Sequence, residues 1–294
     1  MIKRPISLSV RPIIAIMPLA FAAGIAVAEP ASDTIEVRPK RDVQVNPDAL
    51  DGSYKQPQWT RHRLFTNSRA YVLDEHQIEV EAWVKAQTFK DTHQNKTVFK
   101  QEIEVGLGHR LQLDLYVNQK QYYNEEKGKK VFDSEGQQIE LRYALADWGE
   151  LPLNPTLYFE YHPVKNNPER FEFRLLLSDN LAANWHYAIN LGYEIDLWGQ
   201  KQYGQPEREI PLDVAIGTTA LSPHVSLGAE VKVEWRDGPG RRGHFEQEID
   251  IGPAVQWRPT PTFHLNVSPL WGVKDVSKNV SPVLETWIIA GLEL

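Results

Sequence analysis

One pattern constrains this chain more than any other. From Gln77 to Leu294, apolar and polar residues alternate with period two, in segments of roughly nine to twelve residues that recur about twelve times. QIEVEAWVKAQTF sets Ile78, Val80, Ala82 and Val84 against Glu79, Glu81, Trp83 and Lys85. TVFKQEIEVGLG and LQLDLYVNQKQY repeat the rule, as do FEFRLLL, WHYAINLGYEID, VSLGAEVKVEW and HFEQEIDIGPAVQW. Side chains on a strand point alternately to opposite faces, so each segment reads as a strand with one apolar and one polar face. The segment length suits a tilted strand crossing a bilayer, where about 9–11 residues are needed.

The connections alternate in kind. Residues 108–110, 179–184, 222–224 and 258–262 are short, whereas 123–135, 197–208, 236–243 and 274–281 are longer and polar. Residues 90–96 and 163–169 fall on the longer side by order. Short turns at one rim and long loops at the other, with an even strand number, are the pattern of a transmembrane barrel. Phe89, Tyr122, Tyr161, Trp185, Trp235, Trp257, Phe263 and Trp271 lie near strand ends, where aromatic girdles meet lipid headgroups. The apolar face is nearly free of charge, as lipid contact requires, and open edges are not tolerated in lipid. The competing fold is a soluble barrel or sandwich with its apolar face inside.

Ahead of the strands, Lys3, Arg4 and Arg11 precede the apolar run IIAIMPLAFAAGIAVA, which ends in Ala26-Val27-Ala28. This order predicts a secretory signal over 1–28. Its removal takes the net charge from −7 to about −10. Residues 29–76 are polar, rich in proline and poor in aliphatics, and predict a largely irregular arm. The chain has no cysteine, which excludes a disulfide framework and thiolate metal sites. No basic excess points to nucleic acid.

With the signal, the amphipathic strands, the girdle aromatics and a last strand (VLETWIIAGLEL) that runs to the final residue, the chain resembles a Gram-negative outer-membrane β-barrel protein. The resemblance covers 77–294. It implies an all-β, up-and-down antiparallel transmembrane barrel of about twelve strands, with short periplasmic turns and long extracellular loops. The implied partners are outer-membrane lipid, the barrel assembly machinery and a small solute. One departure is Leu294, where that class usually ends in an aromatic residue.

Parity assigns the inward residues strand by strand. They are Glu79, Glu81 and Lys85; Glu102 and Glu104; Asp114; Glu140 and Arg142; Glu160; Glu172 and Arg174; His186, Glu194 and Asp196; Glu230, Lys232 and Glu234; Glu246, Glu248 and Asp250. Acids outnumber bases, which predicts a porin-like lumen favouring cations, or else a filled lumen with no through-pore. The arm is expected to be loosely ordered. The alternative is that Arg61, Arg63 and Arg69 enter the mouth as a plug. No cofactor, metal site or catalytic group is assigned. His186, His244 and His264 lack local metal-ligand spacing, and His224 with Ser226 gives only a faint hint of a lipid-modifying hydrolase. The break in IELRYALADWGELPLNPTLYFEY is expected to be a rigid turn with Trp148 anchored at the lipid interface, or else a segment folded under the barrel mouth.

Overall fold

The alternation resolves into strands because each polar face finds an interior. A computed structural model describes residues 46–91, 94–124, 127–163, 169–197, 207–237, 243–275 and 281–294. The expectations for 1–28 and 29–45 lie outside the described residues. The strands are β1 (Ile78–Thr88), β2 (Lys96–Gly108), β3 (Leu111–Asn124), β4 (Lys129–Ala144), β5 (Thr156–His162) and β6 (Arg170–Ala182). They continue as β7 (Trp185–Asp196), β8 (Arg208–Ser222), β9 (Val225–Asp237), β10 (Glu246–Thr260), β11 (Phe263–Asp275) and β12 (Leu284–Glu293). Each pairs antiparallel with its neighbour in sequence, and β12 pairs with β1 to close the barrel. The fold class is therefore the closed, twelve-strand antiparallel barrel that the alternation predicts.

Closure uses the chain end. Val80 lies opposite Leu292, and the Leu294 amide donates to the Ile78 carbonyl at 3.0 Å. Outward faces expose Ile103, Leu115, Ile139, Leu191, Ile251 and Ile288. Inward faces bury Glu79, Glu102, Asp114, Glu140, Glu172, Glu230 and Asp250. Tyr122 departs from the expected outward girdle: it shares the inward parity of Asn118, and Lys120 Nζ sits 5.6 Å from its ring centre.

The rim where β1 begins and β12 ends, here the near rim, has four two-residue turns: 109–110, 183–184, 223–224 and 261–262. The strands β6 and β10 thus run further than the sequence suggests. At the far rim, β4 begins at Lys129, inside the expected loop 123–135. A register shift between Asn118 and Gln119, with Gly136 at φ 124°, offsets the parity there. A bulge of this kind breaks the period-two signal without ending the strand.

Residues 46–76 are not loosely ordered. They fold back into the near half of the barrel, with one 3-10 turn at Gln58–Thr60. Trp59, Phe65, Tyr71 and Val72 are buried, and they cluster with the wall residues Ala144, Ala188 and Ala215. The wall is small where the arm sits. A Cβ on Gly217 would come within 2.9 Å of the Phe65 ring, and one on Gly106 within 1.8 Å of the Asp74 carbonyl oxygen. The arm lacks aliphatics because its partners are polar wall side chains as well as small apolar ones.

Candidate functional site

Register creates a feature that parity alone does not contain. Glu79 lies opposite Glu104, Glu104 opposite Asp114, Asp114 opposite Glu140, and Glu140 opposite Glu160. The series continues through Glu172 and Glu194 to Glu209. One carboxylate from each of β1 to β8 thus forms a belt along the interior. Because strands in a barrel are tilted and staggered, this line of paired residues climbs from the near rim to the far rim. Like charges directly opposite one another are destabilising, so the belt requires interleaved cations.

At the far end the wall supplies them. Arg174 pairs with Glu172 and Asp213, and Arg170 with Glu194 and, at 3.1 Å, with Asp196. Arg236 pairs with Glu234 and reaches Glu209 at 2.9 Å and Glu248 at 3.5 Å. Lys232 holds Glu234 at 2.9 Å and Glu285 at 3.4 Å, and Lys85 also reaches Glu285 at 3.4 Å. Asp250 is buried opposite Lys232, and Glu246 stands opposite Arg236 at the strand start.

At the near end the wall offers Arg142, which pairs with Glu140 and lies 2.6 Å from Asp114. Two further cations come from the arm. Arg63 Nη2 lies 2.8 Å from Glu81, 3.3 Å from Glu102 and 3.6 Å from Glu104. Arg69 reaches Glu102 at 2.7 Å and Glu104 at 3.1 Å. Burial alone would lower the pKa of Arg69, but Glu104 and Glu102 outweigh it and hold the guanidinium well above its ordinary value. The Arg63 guanidinium also covers the face of Trp83, 4.1 Å from its centre. Arg61, grouped with these two by sequence, stays inside the arm: it pairs with Asp74 at 2.5 Å and Asp51 at 3.5 Å.

The arm backbone is satisfied by the wall. Glu230 accepts from the Thr66 and Asn67 amides at 2.8 and 2.7 Å, and from the Thr66 hydroxyl at 2.6 Å. Asn190 accepts from the Arg69 amide and donates back to its carbonyl. Gln112 accepts from the Leu73 amide, while Asn266 donates to the Arg63 and Leu64 carbonyls. These neutral polar positions, with Glu285 and Trp287, received no site assignment from the sequence. Glu285 and Trp287 share the parity opposite Ile288 and were legible by the same rule.

His62 is buried between Glu79, at 3.9 Å, and Glu293, at 3.6 Å, with the His264 ring centre 6.2 Å away. Burial lowers its pKa from 6.5 to about 4, against the opposing pull of Glu79. His264 donates toward Glu79 at 2.7 Å, and His186 stacks on Trp59 with ring centres 4.7 Å apart. His244 precedes β10 and is exposed. Glu79, Glu81 and His264 are close enough to share an ion, as are Glu81, Glu102 and Glu104. Arg63 already lies against the second set and shares Glu81 with the first.

The segment 145–155 corrects the expected interfacial anchor. Trp148 points inward and is buried, meeting Trp59 and Tyr71 edge-on at 5.7 and 5.3 Å. Its amide donates to the Tyr54 carbonyl at 2.9 Å. The arm offers aromatic partners at the near rim, and these draw the ring inward. The hydrolase hint gains no contact in its favour: no hydrogen bond joins His224 and Ser226 among the described residues. His224 lies in a turn with Nδ1 2.9 Å from the Arg258 carbonyl, and Ser226 is buried on the inward face.

Beyond the arm tip, two adjoining cavities of about 500 and 460 Å³ open toward the far rim. Arg63, Thr66, Asn67 and Arg69 line the floor of the first. The lumen is thus divided into a filled near half and an open far vestibule.

The closed twelve-strand barrel with an apolar outer face and a polar lumen is the fold of outer-membrane β-barrel proteins. Among solved structures, an outer-membrane channel from Pseudomonas putida F1 is similar with TM-score 0.55 at 9% identity, covering 76% of this chain and 98% of that one. The NanC porin is similar with TM-score 0.50 at 11% identity, covering 74% and 98%. At this identity the likeness is one of fold. The sequence matches no family model and no curated protein.

Proposed function

We propose that the protein is a porin-like outer-membrane channel for small solutes, held shut by residues 46–76. The supporting observation is the placement of Arg63 and Arg69 among Glu81, Glu102 and Glu104 across the lumen. In this reading residues 1–28 are a cleaved secretory signal, the near rim faces the periplasm and the long loops face outward. The arm is then the plug, with Arg63 and Arg69 as its ion-paired anchors and Arg61 as an internal brace.

Charge selectivity follows from what the arm leaves behind. Without it, Glu79, Glu81, Glu102, Glu104, Asp114 and Glu140 would outnumber the nearby wall cations Arg142, His264 and Arg258 among the described residues. A ring so weighted toward carboxylates favours cations. The docked arm adds two cations to this ring, so the closed state is less acidic and the open state more cation-favouring. The likeness to outer-membrane channels of known structure supports the barrel part of this reading.

The test is planar-bilayer conductance of the full chain and of an Arg63→Gln/Arg69→Gln variant. The reading expects small, infrequent openings in the wild type and a larger, cation-selective conductance in the variant. Equal conductance would sink the plug, and an anion-selective open state would sink the acidic ring. Recovery of the protein in the soluble periplasm would overturn the membrane assignment.

A further inference from the structure

The vestibule has one wall unlike the rest. On β2, Lys96, Val98 and Lys100 point inward in succession, and Val98 is paired with Lys85 on β1 and with Lys120 on β3. Four lysines therefore surround one buried valine, two along the strand and two across it. Spacings in a sheet put each lysine backbone roughly 5–7 Å from that of the valine.

The patch is short of counter-charge. Lys85 shares Glu285 with Lys232, while Glu285 also accepts from Gln87 and Trp287. Lys120 reaches Glu135 at 3.8 Å, both side chains partly exposed. Lys100 donates to Gln138 at 3.2 Å and lies over the Trp83 ring at 5.4 Å. Lys96 has no ion pair among the described residues. All four lysines line the outer cavity, whose carboxylates are Glu135 and Asp196, and Asp196 is held by Arg170. Elsewhere in the lumen, each arginine of the wall meets two or more carboxylates or a backbone carbonyl. Here four lysines share two carboxylates, Glu285 and Glu135, and Glu285 is also held by Lys232.

We propose that this wall is a binding site for small anions carrying two or more carboxylate or phosphate groups. A cleft lined by one sign of charge between low-dielectric walls focuses its potential and concentrates counter-ions. The two cavities lie within the size range of small-molecule sites, so the ligand is a small solute. Lysine binds such groups as a point charge, and several lysines around an apolar floor accept an anion in more than one orientation. The aromatic faces nearby are already covered by Arg63, Lys100 and Lys85, so charge and not ring stacking carries recognition. The site does not depend on conduction, because it lies on the vestibule wall whether or not the arm moves.

Calorimetric titration of the detergent-purified full chain with inorganic pyrophosphate, against sodium chloride at matched ionic strength, tests this. The expected result is saturable binding that weakens at least tenfold in Lys96→Gln/Lys120→Gln. It should persist in Lys96→Arg/Lys120→Arg and in Lys129→Gln, whose lysine is exposed at the start of β4. If the double glutamine variant fails to show heat-modifiable migration, Lys96→Gln alone carries the same expectation. No saturable heat in the wild type, or unchanged affinity in the glutamine variant, would overturn the proposal. Loss of binding with intact conductance, or the reverse, separates this site from the channel reading.

Discussion

The two halves of the lumen neutralise their inward carboxylates in different ways. In the far half, Glu172, Glu194 and Glu209 receive Arg174, Arg170 and Arg236 from the same barrel wall. In the near half, Glu81, Glu102 and Glu104 receive Arg63 and Arg69 from a segment outside the strands. The far half draws its arginines from the barrel wall, whereas the near half draws two of its arginines from the arm. A buried carboxylate left without its cation is costly, so the near wall favours the docked arm.

The largest break in this comparison should come from Arg63→Ala. Removing one partner from a buried pair costs about 3–5 kcal/mol. Protease cleavage within 46–76 should rise by two orders of magnitude or more. The wall variant Arg174→Ala should instead lower the thermal midpoint of the barrel and leave the arm protected. Equal cleavage in the two variants would erase the distinction between the halves.

Trp148→Ala comes next. The ring meets Trp59 and Tyr71 of the arm. Its loss should cost about 3 kcal/mol, at the low end for a buried tryptophan because it closes the edge of the cluster. The same cleavage assay reads it. An unchanged rate would return Trp148 to a role in the turn alone.

Acidification should act through His62, which faces Glu79, Glu293, His264 and Arg258. Its docked pKa is about 4, below the ordinary 6.5. A base with a depressed docked pKa binds its proton more readily when released. Docking is therefore full above pH 6.5 and weakens as pH falls toward 4, by on the order of 100-fold at most. Cleavage measured with an acid-tolerant protease should show this slope in the wild type, and His62→Gln should flatten it. The smallest effect belongs to Lys55→Gln. Its partners Asp147 and Glu150 are at the surface, and such pairs add little, so arm release should not change detectably.

Much of this was legible in the chain. Alternation marks Glu79, Glu81, Glu102, Glu104 and Asp114 as one face, and barrel closure follows from twelve such strands. The belt was not legible, because opposing Glu104 to Asp114 is a matter of register, which pairing between strands decides. The packing of the arm is hidden from the sequence for a related reason. Its prolines and scarce aliphatics imply looseness only if it must make its own core. Its partners are instead Asn190, Gln112, Asn266 and Glu230, scattered along four strands. The aromatics Tyr54, Trp59, Phe65 and Tyr71 were the signal available. Four large rings in a polar segment imply a burial site somewhere. The inward direction of Trp148 depends on that same segment and was hidden with it.

The central claim is that the arm occupies the near half and supplies its cations. The chain has no cysteine, so a single Ser68→Cys at the buried arm tip reports on it cleanly. Alkylation of that thiol in outer-membrane vesicles is the most direct measurement. The account predicts slow labelling in an otherwise wild-type chain, and labelling faster by two orders of magnitude when Arg63 and Arg69 are both glutamine. Labelling of the otherwise wild-type chain as fast as in denaturant, or a rate indifferent to the two arginines, would contradict it.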